Sequence, residues 1–140
     1  MSIDKAFNES VEYYDSWVKK ALPSYQEIFS VAVESIPFST EQNLKILDLG
    51  AGTGLFSFHV FQQYQSADYT LIDVAEQMLE LSKKRFASAE ERFSFITGDY
   101  RTALPDSLFD LVISSLSIHH PDDEDKQKLF RNIYEHLTPG

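Results

Sequence analysis

Residues 44–54 read Leu44-Lys-Ile-Leu-Asp-Leu-Gly50-Ala-Gly52-Thr-Gly54, a short apolar run followed by three glycines within five positions. An apolar run of this length that ends in glycines indicates a buried β-strand and a tight turn. The residues that follow, 55–64, have the length of a helix. Because glycine lacks a Cβ atom, a ligand can approach the backbone amides of such a turn closely. The stretch therefore predicts a strand, a ligand-accessible turn and a helix.

The alternation of strand and helix recurs further along the chain. Strands are predicted at Tyr69–Asp73, Phe93–Thr97 and Phe109–Ser114, and helices from Ala75 to about Ala87 and from Asp123 to Leu137. Such alternation indicates an α/β fold, with a parallel sheet, helices on both faces and right-handed crossovers. Ligands of these sheets bind beyond the carboxyl ends of the strands. The candidate site residues therefore stand at the four strand ends.

The residues before the first strand are predicted to form two helices. One apolar stripe recurs at helical spacing over residues 7–21, and a second follows over residues 25–36. Ser24 and Glu27 have the spacing of a capping box at the start of the second stripe. We therefore expect an N-terminal helical segment over residues 1–43 and one α/β unit over residues 44–140.

Composition excludes several classes of site and partner. The chain has 140 residues with 12 basic and 22 acidic side chains, and its net charge of -10 disfavours binding to nucleic acid. It has no cysteine, which excludes thiolate metal sites and a cysteine nucleophile. No apolar run approaches the roughly 18 residues of a membrane-spanning helix, and the first residues lack the pattern of a signal peptide. We expect a cytoplasmic protein with no membrane partner.

The spacing of the three glycines distinguishes between two kinds of cofactor. A dinucleotide fingerprint, G-x-G-x-x-G, would place its third glycine where this chain has Leu55. Residues 46–54 instead resemble the first motif of the class I S-adenosylmethionine-dependent methyltransferases: an acidic residue, an apolar residue and then G-x-G-x-G. The resemblance implies that the methionine half of S-adenosyl-L-methionine is bound by Asp48, Gly50, Ala51, Gly52 and Gly54.

The second strand ends at Asp73, 19 residues beyond Gly54. A carboxylate at this place can accept hydrogen bonds from both hydroxyl groups of a ribose. Asp73 and Glu76 also have the spacing of a capping box, so a purely structural role stays open. Residues 73–79 resemble the second motif of the same family, which implies that Val74 and Met78 pack on the adenine.

The third strand is followed by Gly98-Asp99-Tyr100. The resemblance implies that Asp99 accepts a hydrogen bond from the exocyclic amine of the adenine and that Tyr100 lines the ring. Taken alone, Asp99 has a solvated turn as its alternative interpretation. Its place in the order of the motifs favours the binding role.

Residues 109–121 resemble the fourth motif of the family, including a histidine pair that is common in its small-molecule members. We place Ser115 in the cofactor site, and His119 and His120 are the candidate bases if the acceptor must lose a proton. The alternative is that the pair only caps a loop. Adjacent histidines of an extended segment point in different directions, so no metal site is expected.

The substrate class follows from what the motifs lack. Nucleic-acid amino-methylating members carry an Asn/Asp-Pro-Pro-aromatic tetrad where this chain has Ser114-Ser-Leu-Ser117, and cytosine C5 methylation needs a cysteine. A small-molecule methyl acceptor is therefore favoured. A nicotinamide-dependent oxidoreductase and a non-catalytic cofactor-binding module are the alternatives.

The four motifs, in order, imply a Rossmann-like sheet with strand order 3-2-1-4, and residues 1–43 take the place of a lid. Family members carry about three more strands after a Pro-Gly turn like that of Pro139 and Gly140. We therefore expect a C-terminally truncated core that lacks strands 5–7. The outer edge of the fourth strand would then be exposed and would invite self-association.

Overall fold

The computed structural model describes residues 25–102, 104–114 and 123–138. Its elements are, in chain order, α1 (Tyr25–Glu34), β1 (Lys45–Leu49), α2 (Leu55–Gln63), β2 (Asp68–Asp73), α3 (Glu76–Arg85), a 3-10 segment (Ala87–Arg92), β3 (Phe93–Thr97), β4 (Leu111–Ile113) and α4 (Asp123–Glu135). Each strand and helix predicted within these ranges is present, and β3 has the predicted bounds. The helix predicted over residues 7–21 lies outside the described residues.

The four strands form one parallel sheet in the order β3-β2-β1-β4. Leu47 of β1 lies opposite Thr70 of β2 on one side and Val112 of β4 on the other, and Leu71 of β2 lies opposite Phe95 of β3. The predicted fold class and strand order are confirmed. Because all strands run the same way, their carboxyl ends share one edge of the sheet, where ligands of such folds bind.

The sheet is covered on both faces, and four of the five residues of β1 are buried. One core combines Ile46 and Leu71 with Val60 of α2 and Leu79 of α3. The second core lies on the alternate residues of the same strands, and Ile133 of α4 packs against it. Its buried members are Leu47, Leu49, Ile72, Tyr100 and Phe109. α2 and α3 therefore share one face of the sheet, and α4 lies on the other.

An aromatic stack fixes the end of α3 against the sheet. The ring of Phe86, directly after α3, lies 3.9 Å from the ring of Phe93 at the start of β3, with the planes 13° apart. Phe93 in turn stacks on Tyr69 of β2 at 4.8 Å. All three side chains are buried. The C-terminal end of α3 is consequently held in a close-packed position.

The fourth strand is shorter than the predicted Phe109–Ser114 because Phe109 pairs away from β1. Its amide donates to the carbonyl oxygen of His136 at 2.7 Å, and the amide of Thr138 donates to the carbonyl oxygen of Phe109 at 2.8 Å. The resulting isolated bridge between Phe109 and Leu137 is parallel. This bridge lies two residues before β4, and within the described residues no strand pairs with the outer edge of β4.

No helix within the described ranges is long and apolar enough to cross a membrane.

Candidate functional site

The turn between β1 and α2, residues 50–54, is here called the glycine loop. Gly50, Gly52 and Gly54 have φ angles of 65°, 58° and 80°, a left-handed conformation that disfavours residues with a Cβ atom. The amides of Gly50 and Ala51 both donate to the carbonyl oxygen of Ile72 on β2, at 2.8 and 3.1 Å. All three glycines are therefore required by the backbone, and the loop is tied to the end of the neighbouring strand.

Asp73, at the carboxyl end of β2, is held by two backbone amides. Its Oδ2 accepts a hydrogen bond from the Gly52 amide at 2.9 Å, and its Oδ1 accepts one from the Ala75 amide at 2.8 Å. Each carboxylate oxygen can accept a further bond, so the oriented group retains acceptor capacity for two hydroxyls. α3 begins at Glu76 with Ala75 at its N-cap and no side-chain cap, so Asp73 does not occupy the N-cap position that the alternative capping-box interpretation requires.

Asp48 lies inside the protein next to the glycine loop. It is 1% exposed, and its Oδ2 accepts a hydrogen bond from Ser57 Oγ of α2 at 2.6 Å. Burial raises the pKa of Asp48 from 3.8 to about 7; the hydrogen bond from Ser57 opposes this shift, and the charge of Asp73 adds to it. Asp48 is thus poised between its two protonation states near neutral pH, and its contact with a cofactor stays a prediction.

The raised pKa of Asp48 predicts a pH-dependent stability. The folded chain binds a proton here that the unfolded chain has lost, so the contribution is full below about pH 4 and disappears as the pH rises through 7. Asp48→Asn cannot ionise, and its amide oxygen can still accept the bond from Ser57. From pH 5 to pH 8, urea unfolding should show the wild type losing about 2–3 kcal/mol relative to Asp48→Asn. Parallel pH profiles of the two proteins would contradict the assignment.

Asp99, after β3, is paired with a residue that the sequence analysis did not single out. Its Oδ1 accepts bonds from the Arg101 amide at 2.9 Å and from Arg101 Nε at 3.0 Å, and its Oδ2 accepts one from Arg101 Nη2 at 2.9 Å. These bonds hold the pKa of Asp99 below its ordinary value. Asp99 is therefore an oriented, ionised acceptor. Its bond to an adenine amine stays a prediction.

The remaining predicted contacts fall into three groups. Val74, directly after Asp73, is 63% exposed, and Met78 in the first turn of α3 is half-buried. Both therefore supply apolar surface close to Asp73 in the chain. Tyr100 is buried in the second core. The predicted site residues Ser115, His119 and His120 lie outside the described residues.

The loop carbonyls are held by α3. Ser82 Oγ donates to the carbonyl oxygen of Gly52 at 2.6 Å, and Arg85 Nε donates to that of Thr53 at 2.8 Å. No motif of the sequence analysis includes either side chain. The only signal in the sequence is that Ser82 and Arg85 are polar residues three apart on a predicted helix.

A separate cavity of about 380 Å³ lies between α1 and α2. Val33, Gln63 and Tyr64 contribute to its lining, which includes none of the predicted cofactor residues. The cavity lies along the C-terminal half of α2, whereas the glycine loop lies at the N-terminal end of that helix. Across the described part of the chain, no cluster of three or more His, Cys, Asp or Glu could hold a metal ion.

A profile of the methyltransferase domain family matches residues 46–140 of the chain. The chain belongs to the class I S-adenosylmethionine-dependent methyltransferase family. It is 30% identical over 140 residues to the malonyl-[acyl-carrier protein] O-methyltransferase of Priestia megaterium, covering 99% of this chain and 48% of that protein. It is 29% identical over 151 residues to the phosphoethanolamine N-methyltransferase of Plasmodium falciparum, covering 99% and 54%.

The same family is found among solved structures. The glycopeptide N-methyltransferase MtfA in complex with S-adenosyl-L-methionine is 28% identical, with a TM-score of 0.65 over 81% of this chain and 50% of that one. The chain spans about half the length of the curated relatives it matches. The resemblance inferred from the motifs is confirmed at the level of family and fold.

The local geometry of the chain suits S-adenosyl-L-methionine. The half-buried backbone at Gly50 has no side chain to block close approach, whereas the missing Cβ atom of Gly54 makes room for Phe86. Beside the glycine loop, the fixed carboxylate of Asp73 is suited to a pair of ribose hydroxyls, and exposed Val74 is suited to an apolar ring face. The residues present therefore fit the cofactor of the family.

Proposed function

We propose that this chain binds S-adenosyl-L-methionine and takes part in methyl transfer to a small-molecule acceptor. The observation that carries the proposal is Asp73, whose two carboxylate oxygens are oriented by the glycine loop and by the residue before α3. A carboxylate fixed in this way loses little further freedom when it accepts bonds from a ribose. Family membership supports the choice of cofactor.

The chemistry that the cofactor supplies when bound is an electrophilic methyl group on a sulfonium. Displacement at that methyl group needs an aligned nucleophile and exclusion of water more than it needs acid–base machinery. In this chain Asp73 and the glycine loop would bind and orient the cofactor. Asp99 would accept the hydrogen bond that distinguishes the adenine. His119 and His120 stay the candidate bases for an acceptor that must lose a proton.

Two observations support the proposed class of methyl acceptor. One relative is named for a malonyl group on a carrier protein and another for phosphoethanolamine, an O- and an N-methyltransferase respectively. These names support a small-molecule acceptor and leave both acceptor atoms open. The net charge of -10 supports the proposal that the acceptor is not a nucleic acid.

We place the chain in the cytoplasm, without a membrane partner. Self-association through the outer edge of β4 stays a prediction. Among the described residues, no strand pairs with that edge, and the bridge between Phe109 and Leu137 lies two residues before β4.

Calorimetric titration tests the proposed cofactor. S-adenosylhomocysteine should bind with one saturable site, and NAD should not bind under the same conditions, because the loop has Leu55 where the dinucleotide fingerprint needs a glycine. Binding of NAD in preference to S-adenosylhomocysteine would contradict the proposal. A panel of hydroxyl and amine acceptors, assayed with labelled cofactor, then tests catalysis, since turnover of any of them excludes an inert binding module.

A further inference from the structure

Two side chains from the last turn of α3 hold consecutive carbonyl groups of the glycine loop. Ser82, fully buried, donates through Oγ to the carbonyl oxygen of Gly52 at 2.6 Å. Arg85 donates through Nε to the carbonyl oxygen of Thr53 at 2.8 Å, and its Nη2 lies 3.4 Å from Thr53 Oγ1. Residues three apart on a helix lie on one side of it, so a single face of α3 makes both bonds.

Arg85 also contacts the helix that follows the loop. Its guanidinium carbon lies 5.6 Å from the centre of the Phe58 ring of α2, within the range of a cation–π interaction. Arg85 therefore connects α3, the glycine loop and α2. A side chain with three such contacts is confined to one orientation, which strengthens its hold on the Thr53 carbonyl.

The glycine loop needs contacts from other elements because its own residues restrict its backbone conformation only weakly. Glycine populates positive and negative φ with similar ease, so a loop with three glycines can rotate its peptide planes at low cost. A trans peptide is planar, so the Gly52 carbonyl and the Thr53 amide point in opposite directions, and fixing one fixes the other. Gly52 donates its amide to Asp73 while its carbonyl accepts from Ser82, so this residue is held on both sides.

We propose that Ser82 and Arg85 are positioning residues for cofactor binding. They hold the peptides after Gly52 and Thr53, which directly follow the peptide whose Gly52 amide donates to Asp73. The inference rests on the proposed function, because it assigns the purpose of this loop conformation to S-adenosyl-L-methionine. Neither side chain needs to touch the cofactor; loss of either would reach it through the loop and through Asp73.

Four variants and two measurements test the proposal. Ser82→Ala and Arg85→Met each remove the donors, Arg85→Lys keeps the charge and one donor group, and Lys83→Ala is the control on the same turn, where an exposed side chain pairs with Glu80. Calorimetry with S-adenosylhomocysteine should show affinity weakened about fivefold for Ser82→Ala and about tenfold for Arg85→Met. Arg85→Lys should fall between Arg85→Met and the wild type, and Lys83→Ala should bind as the wild type does.

A purely structural role is separated by Ile46→Val, a mild change in the buried first core that leaves the hydrogen bonds of Ser82 and Arg85 to the loop in place. Urea unfolding should show Ile46→Val destabilised with its affinity for S-adenosylhomocysteine intact. The proposal is overturned if Ser82→Ala and Arg85→Met bind as tightly as the wild type. It is also overturned if Ile46→Val loses as much affinity per unit of lost stability as those two variants do. If Ser82→Ala does not fold, Arg85→Met and Arg85→Lys give the same comparison, because Arg85 is only half-buried. Failure of the wild type itself to bind rejects the proposed function instead.

Discussion

Gly54→Ala is expected to lower the free energy of unfolding by about 3 kcal/mol and to disrupt binding of S-adenosylhomocysteine. A Cβ atom at Gly54 would lie 2.7 Å from Cε2 of Phe86, and the ring cannot retreat because it stacks on Phe93 at 3.9 Å. The φ angle of 80° adds the cost of a left-handed alanine, about 1–2 kcal/mol, to about 1–3 kcal/mol for overpacking. Relief of this contact requires movement of the loop that bonds Asp73.

Urea unfolding measures this effect, and Gly98→Ala is the matched control. A Cβ atom at Gly98 would meet its nearest neighbour, Cδ1 of Ile72, at 3.8 Å, an ordinary van der Waals distance. Gly98→Ala should therefore change the free energy of unfolding by less than about 1 kcal/mol. Equal stabilities of the two variants would show that the contact with Phe86 does not constrain the loop.

Asp73→Ala is expected to weaken binding of S-adenosylhomocysteine by about 10- to 100-fold, with the fold largely intact. A charged hydrogen-bond acceptor contributes about 1.5–3 kcal/mol, and each factor of ten in affinity corresponds to about 1.4 kcal/mol. The variant also removes the partner of the Gly52 amide, so the loop loses one of its holds. Asp73→Asn should recover little of the affinity, because its amide NH₂ replaces one acceptor by a donor.

The control for Asp73 is Asp68→Ala on the same strand. Asp68 stands at the other end of β2, and its exposed carboxylate pairs with Arg92 at 3.3 Å. Removal of such a surface pair should cost at most about 1 kcal/mol of stability and leave the affinity for S-adenosylhomocysteine unchanged. An Asp73→Ala variant that binds as tightly as Asp68→Ala would limit Asp73 to a structural role.

Sequence patterns were sufficient for the second and third strands. The apolar runs gave β3 its observed bounds, Phe93–Thr97, and they gave β2 to within one residue. The fourth strand was overestimated at its start because Phe109 is as apolar as a strand residue, yet its backbone bonds His136 and Thr138. Such a pairing depends on where α4 returns the chain, which no local pattern encodes.

The site was predictable where a backbone conformation demanded glycine, and less so where tertiary contacts act. The spacing of Gly50, Gly52 and Gly54 indicated the loop, and all three adopt positive φ. Ser82 and Arg85 reach the loop only because α3 packs beside α2 on one face of the sheet. The place of Asp73 at a strand end was correct, but its bond to the Gly52 amide requires β1 and β2 to be neighbours.

The glycine loop and Asp73 are joined by a hydrogen bond, and their amides can be observed directly. The chain has five glycines, and four of them are Gly50, Gly52, Gly54 and Gly98, all at strand ends of the carboxyl edge. An amide ¹H–¹⁵N spectrum with assigned glycines, recorded during titration with S-adenosylhomocysteine, should show saturable shifts of Gly50, Gly52 and Gly54 together with Asp73, and no such shifts with NAD. Saturable binding that leaves these loop amides unmoved would contradict the assignment of the cofactor site.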